Sequence, residues 1–144
     1  MSTFWMLPYN VTKEIRLITL QWKIIQNIYP TSILLEKMKI KSSAHCEHCK
    51  VLDTLEHFFF DCSLVKSLWA DVERKIATDF GRTFKFGAIE VILGITSSKM
   101  FSKKDLKRIN LILLVSKLCI SKFKYGKNYC LITLFEHELR FRHL

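Results

Sequence analysis

The sequence predicts a mainly α-helical fold, a small helical domain with a CCHC zinc-binding loop between helices. Apolar residues recur at the spacing of one helix face in several segments, and this periodicity is the main signal for helices. Three cysteines and one histidine between residues 46 and 62 have the spacing of metal ligands. Hydrophobic residues make up 49% and charged residues 25% of the 144 residues, which is typical of one folded domain.

Two helices are predicted before the cysteines. The first begins after Thr12, a suitable N-cap residue, and Pro30 ends it. The apolar residues of its expected buried face are Ile15, Ile18, Trp22, Ile25 and Tyr29. A short second helix follows through Leu34 and Met38.

Further helices are predicted after the cysteines. Residues 63–80 read as a helix that ends before Gly81. Its expected inward residues are Leu64, Val65, Leu68, Trp69, Val72 and Ile76. Residues 82–101 read as loop around one short element near 89–93. Ser102 opens a capping box for a long helix to about Lys124, and residues 131–144 form a last helix with Arg140 and Arg142 exposed.

The chain is expected to divide near residue 80. Residues 1–80 form a helical segment with the metal motif, whose ligands lie in 46–62, and residues 81–144 form a basic C-terminal helical segment packed on it.

The motif Cys46-x2-Cys49-x7-His57-x4-Cys62 predicts one structural Zn2+, because four protein ligands leave no open position for chemistry. A redox CxxC would sit in a βαβ unit, and no such unit surrounds Cys46. Chance spacing and competition from His45 and His48 are the alternatives, and we expect both of those histidines to face solvent or to support the ligands. Cys119 and Cys130 lie outside the motif, and Cys119 is expected in the core.

The formal net charge is +10, and it is unevenly distributed. Residues 1–45 carry +4, residues 46–80 carry −3 and residues 81–144 carry +9. This balance favours a polyanionic partner, RNA or DNA, with an anionic membrane surface as the rival reading. No secretory signal or membrane-length apolar run is present. We therefore expect a nuclear or cytoplasmic protein that is neither secreted nor transmembrane.

Several segments together resemble a known family. Residues 20–31 (LQWKIIQNIYPT), 37–40 (KMKI) and 54–62 (TLEHFFFDC), with the CxxC pair and Leu68-Trp69, resemble the zinc-binding region of LINE-type reverse transcriptases. In those polyproteins of non-LTR retrotransposons, the region lies C-terminal to the polymerase domain. Many relatives show a His-Arg pair where this chain has Gln26-Asn27, which removes a charge that could touch phosphate.

The resemblance implies that zinc is held by Cys46, Cys49, His57 and Cys62, and that Trp69 has a packing role. It implies a role in holding RNA and DNA during target-primed reverse transcription, with the polymerase domain as a further partner. It also implies that the chain is a C-terminal piece of a larger reverse transcriptase. A polymerase needs paired carboxylates for two metal ions, and none are recognisable here, so we expect no enzymatic activity.

The expected phosphate contacts are basic residues beside the zinc loop and along the long helix: Lys39, Lys41, Lys50, Lys103, Lys104, Lys107, Arg108, Lys117 and Lys124. One aromatic from Phe58–Phe60 could stack on an unpaired base, although at least two of the three should pack inward. Two alternatives remain open. The chain could be a protein-interaction module, whose surplus apolar residues in 103–124 mate with a polymerase, or a decayed mobile-element copy without a function.

Overall fold

The computed structural model describes residues 2–96, 98–126 and 130–144. In these ranges the helices are α1 (Ser2–Val11), α2 (Ile15–Ile25), α3 (Ser32–Lys37), α4 (Lys66–Phe80), α5 (Ala88–Leu93), α6 (Lys103–Tyr125) and α7 (Leu131–Phe141), and a π-helical turn spans His57–Asp61. The described residues contain no β-strand, only an isolated bridge between His45 and Leu52. The predicted mainly helical fold, with the Cys/His loop between helices, is confirmed.

Helix α6 lies at the centre of the molecule and contacts α1, α2, α4 and α7. The Ser102 hydroxyl accepts a hydrogen bond from Asp105 N (3.2 Å), which is the predicted cap. Every side chain from Ile112 to Ile120 is buried. The expectation that this helix keeps an apolar face free for a partner is wrong, because the other helices of the chain cover it.

Helix α2 buries a different face from the one that was predicted. Its buried residues are Leu17, Leu20, Gln21 and Ile24. Ile15 and Trp22, which we expected inside, are 71% and 44% exposed. More than half of the circumference of this helix is apolar, so periodicity alone does not choose the side that meets α6.

The predicted N-cap of α2 is also wrong. Glu14, not Thr12, precedes the helix, and Thr12 Oγ1 accepts a hydrogen bond from Glu14 N (3.0 Å). Helix α1 precedes this turn and was not predicted. It packs on both α2 and α6.

Helix α7 is docked by a buried ion-pair network that the sequence did not suggest. Arg142 was expected to be exposed, but its side chain is only 8% exposed and lies 2.6 Å from carboxylate oxygens of both Glu14 and Glu138. Lys122 Nζ lies 2.6 Å from Glu138 as well. Hydrogen bonding to Arg142 lowers the pKa of Glu14. Burial raises the pKa of Glu138, but hydrogen bonds from Lys122 and Arg142 outweigh this effect and lower it.

Helix α2 ends at Ile25, before the predicted end at Pro30, whereas the remaining predictions of secondary structure agree with the structure. Helix α4 buries Leu68, Trp69 and Val72, and ends at Gly81 in the left-handed conformation (φ 68°). The short element expected near 89–93 is α5. Arg140 is exposed and Cys119 is buried. No helix in the described part of the chain combines the length and apolar character that crossing a membrane requires.

Candidate metal centre

The first two predicted ligands lie at the tip of a tight hairpin. Cys46 N donates to Val51 O (2.7 Å), and Lys50 N donates to Cys46 O (2.8 Å). Lys50 closes the turn with a positive φ of 62°. Cys49 N lies 3.5 Å from Cys46 Sγ, so the backbone amide donates to the sulfur across the CxxC turn. This geometry directs both thiols to the same side of the loop.

The other two ligands depend on the π-helical turn. Residues five apart in an α-helix point about 140° away from each other, so His57 and Cys62 would diverge in a regular helix. In the wider turn, Cys62 N donates to His57 O (2.9 Å), which closes an i→i+5 bond. Thr54 Oγ1 accepts from His57 N (3.1 Å) and fixes where the turn begins.

The four ligand atoms converge on one point. The donor atoms of Cys46, Cys49, His57 and Cys62 all lie within 4.8 Å of one another. Cys49 Sγ is 3.8 Å from Cys62 Sγ. His57 Nε2 is buried without a hydrogen-bond partner among the described residues. A buried, unpaired ring nitrogen beside three thiols fits a tetrahedral metal ion.

The protonation states also suit a metal. Burial lowers the pKa of His57, which favours the neutral imidazole that can bind a cation. A hydrogen bond with Ser63 lowers the pKa of Cys49 to about 7, whereas burial raises the pKa of Cys62. Three sulfurs and one nitrogen from the protein fill a tetrahedral shell, so the centre is one structural zinc site.

Neighbouring elements hold this cage in place. Asp53 Oδ2 accepts from Ser32 N (3.0 Å), which ties the start of α3 to the loop. Lys124 Nζ donates to Phe58 O (2.8 Å) and lies 4.2 Å from the centre of the Phe58 ring. Trp69 Nε1 donates to Phe59 O (2.7 Å), in agreement with the packing role expected for this residue.

Sequence reasoning missed most of these supporting residues. Thr54 stands three positions before His57, which is the spacing of a helix cap, so it could have been found. Asp53 and Ser32 are 21 positions apart, and no local pattern connects them.

The other residues near the motif have simple roles. His45 and His48 are exposed, as expected, and Cys130 is exposed as well. Phe58 and Phe59 are buried, and Phe60 is half-buried with its ring 6.2 Å from that of Trp69. The prediction that at least two of the three phenylalanines pack inward is confirmed.

Most of the predicted phosphate-binding residues lie on the surface. The exposed ones are Lys39, Lys50, Lys103, Lys104, Lys107 and Arg108. Arg108 lies 3.7 Å from Asp79. Lys41 and Lys124 are half-buried, and Lys41 Nζ donates to Ser32 Oγ (3.3 Å).

The prediction for Lys117 is wrong. Its side chain is 1% exposed, and its Nζ donates to Gln21 Oε1 and to Ile92 O (3.3 Å) in the interior. Burial lowers the pKa of Lys117 to about 7. Asn110, two turns before Lys117 on the same side of α6, is also buried and forms hydrogen bonds with the backbone of Ile95. The exposed basic residues of α6 therefore lie at its N-terminal end.

Comparison with known proteins agrees with this geometry. Residues 2–69 match the family model described as zinc-binding in reverse transcriptase. No curated protein and no solved structure gave a significant match. The matched range contains all four converging ligands and Trp69. Residues 2–69 of this chain are therefore similar to the zinc-binding regions of reverse transcriptases.

Proposed function

We propose that the chain is a non-catalytic module of a LINE-type retrotransposon reverse transcriptase that binds RNA or DNA during target-primed reverse transcription. The observation that carries this proposal is a set of exposed lysines without acidic partners. These lysines are Lys39, Lys50, Lys103, Lys104 and Lys107, and none of them forms an ion pair within the described ranges. Uncompensated charges of this kind bind phosphates and release counterions.

The lysines form two groups, which we name the loop lysines (Lys39 and Lys50) and the helix lysines (Lys103, Lys104 and Lys107). The zinc loop contacts the C-terminal end of α6 through Lys124, while the helix lysines occupy its N-terminal end. About 20 residues at 1.5 Å each place the two ends roughly 30 Å apart. A nucleic acid that meets both groups must therefore follow the length of α6.

The residues around each group support phosphate binding in different ways. The helix lysines border a cavity of about 410 Å3 between α1 and α6. They also stand at a helix N-terminus, whose dipole adds positive potential. The loop lysines stand on backbone with positive φ (59° at Lys39 and 62° at Lys50), and the turn at Lys50 is one that the metal would keep rigid. Zinc contributes structure here, and the lysines make the contacts.

The test is binding of fluorescent single-stranded RNA and duplex DNA to the whole chain at several salt concentrations. We expect affinity to fall steeply with salt and to fall again after chelation of zinc. Affinity that does not change with salt would contradict the proposal. A chain that fails to fold with zinc present would instead favour the decayed-copy alternative.

A second function, docking to the polymerase domain of the same enzyme, is favoured by the outer face of α2. Ile15 and Trp22 are exposed there, Ile18 and Ile25 on the same face are half-buried, and Lys23 lies beside this stripe. An apolar stripe of this kind usually has a protein partner. Lys23 beside the stripe would repel the same lysine of a second copy of the chain, whereas it would attract acidic residues at the edge of a partner's docking surface. Trp22→Gln should abolish capture of a purified polymerase domain while RNA affinity persists, and unchanged capture would exclude this face.

A further inference from the structure

A cavity of about 240 Å3 lies beside the zinc loop, and the metal ligand Cys46 and the acidic Glu47 form part of its wall. We name it the Asp53 pocket. The residues of its wall that matter here are Lys41, Asp53, Phe58, Lys124 and Tyr125. Pockets for drug-sized ligands usually measure roughly 300–1,000 Å3. The Asp53 pocket is smaller, and its size suits one flat group such as a single nucleobase.

One carboxylate oxygen of Asp53 has no hydrogen-bond donor as a partner. The residue is 4% exposed, and its Oδ2 accepts from Ser32 N. Its Oδ1 is buried and has no partner among the described residues. Leaving a buried charged acceptor unpaired is costly. The ammonium groups of Lys41 and Lys124 donate to Ser32 Oγ and Phe58 O, and neither forms a hydrogen bond with Asp53 Oδ1. The pocket therefore presents an acceptor that a ligand could satisfy.

An aromatic ring is fixed at the mouth of the pocket. Tyr125 is 45% exposed, and its ring stacks on Phe58 at 5.6 Å and 27°. Its hydroxyl donates to Pro30 O, so the ring cannot rotate freely. A held, half-exposed ring is a platform on which a base can stack. The cations of Lys41 and Lys124 on the same wall suit the phosphate of the same nucleotide.

We propose that the Asp53 pocket binds one unpaired nucleobase with an exocyclic amino group, which donates to Asp53 Oδ1 while the base stacks on Tyr125. Adenine and cytosine present such an amino group next to a ring acceptor. Uracil offers only one N–H between two carbonyl oxygens, and these oxygens would face the carboxylate. The pocket thus selects for amino-bearing bases. This inference rests on the proposed nucleic-acid function.

The test compares the affinities of the whole chain for 12-nucleotide oligo(C), oligo(A) and oligo(U). The wild type should bind oligo(C) and oligo(A) about tenfold more tightly than oligo(U), the value of one hydrogen bond to a charged acceptor. The key variant is Asp53→Asn. Its amide keeps an oxygen for Ser32 N and puts an NH2 group where Oδ1 was, so the preference should shift to oligo(U).

Glu136→Gln is the control, because it removes the same charge from an exposed position outside the pocket and should leave the selectivity unchanged. Equal wild-type affinities for the three oligonucleotides, with a normal salt dependence, would overturn the inference and leave the proposed function intact. An Asp53→Asn protein that folds but keeps the wild-type preference would overturn it too. Absence of binding to any oligonucleotide at low salt would contradict the proposed function itself.

A second variant decides the question if Asp53→Asn does not fold. Tyr125→Leu should weaken binding of all three oligonucleotides about tenfold, the usual effect of losing one base stack. Tyr9→Leu changes another exposed tyrosine and should have no effect. Equal affinities of Tyr125→Leu and the wild type would overturn the inference.

Discussion

At single residues, the metal centre depends on hydrogen bonds as much as on ligand identity. A hydrogen bond with Ser63 lowers the pKa of Cys49, whereas burial raises the pKa of Cys62. At neutral pH the thiol of Cys62 loses its proton only when it binds the metal. We therefore expect it to be the ligand whose loss is least tolerated.

Cys62→Ser should reduce bound zinc from about one equivalent to almost none, because a buried hydroxyl does not replace the thiolate. Elemental analysis of the purified, reduced protein measures this directly. Cys130→Ser changes an exposed cysteine outside the site and should keep the full metal content. Zinc retained by Cys62→Ser would disprove the assignment of this ligand.

Lys117 gives a pH-dependent prediction. Its folded-state pKa of about 7 lies below the usual value of 10.5. Between these two values the unfolded chain binds more protons than the folded one, so stability should rise with pH across this window, by up to about 1.4 kcal/mol per unit. Below pH 7 both states bind the proton, and the slope from this group disappears.

The measurement is urea unfolding of the zinc-loaded protein at pH 7, 8 and 9. Lys117→Met should show a flatter profile, and the difference between the two proteins isolates this one group from other titrating residues. Parallel profiles for wild type and variant would show that Lys117 keeps its proton in the folded state.

These residues also show what sequence can and cannot predict. The four ligands follow from spacing alone, because zinc imposes its own geometry on any chain that supplies them. The inward position of Lys117 could not be predicted, because a helical wheel groups residues by face without saying which face meets the core. Its partner Gln21 stands 96 positions away. Only the tertiary fold brings the two together.

At the level of elements, the docking of α7 depends on charge. Arg142 bridges Glu14 and Glu138, so one side chain joins the turn before α2 to the end of the last helix. The buried face of α2 was predicted wrongly because contacts with other helices, and not the sequence of α2 itself, decide which face is buried. Ile15 and Leu17 are equally apolar, and the choice between their faces is made by α1 and α6, not by the helix itself.

Arg142→Met should destabilise the protein by about 3–5 kcal/mol, because it leaves the carboxylate of Glu138 buried with an incomplete set of partners. Arg140→Met is the matched control on the exposed side of the same helix. Both are compared by urea unfolding at pH 7. Equal stabilities would mean that the network contributes little.

The same network predicts acid sensitivity. Glu14 and Glu138 both have pKa values below the usual 4.5, so their contribution is present above that value and is lost as pH falls through the folded-state values. Wild type should lose stability below about pH 4.5 more steeply than Arg142→Met. The same pH dependence of stability in wild type and Arg142→Met would contradict this expectation.

At the level of the whole molecule, the length of α6 separates the helix lysines at its N-terminal end from the zinc loop, which contacts its C-terminal end through Lys124. A span of roughly 30 Å corresponds to about 9 base pairs at 3.4 Å each. Duplexes shorter than this can contact one group only. Affinity should therefore rise abruptly near that length and change little beyond it.

The triple variant Lys103→Gln, Lys104→Gln and Lys107→Gln should remove that rise. It should also reduce the salt slope by up to about 2.7, if each lysine contacts one phosphate of B-DNA. A control that changes Lys13, Lys66 and Lys85 to Gln removes the same charge from other exposed positions. Equal effects of the two triple variants would mean that nucleic-acid affinity depends on the net charge of the protein and not on the positions of these lysines.

The central place of α6 has a consequence for how the protein is made. A ribosome releases the cysteines and His57 before it has synthesised the helix that ends in Lys124 and Tyr125. The nascent loop must capture its ion without the covering helix, so zinc supply during translation should limit the yield of mature protein. Withdrawing zinc during a short labelling pulse should then lower the protease-resistant fraction more than withdrawing it afterwards.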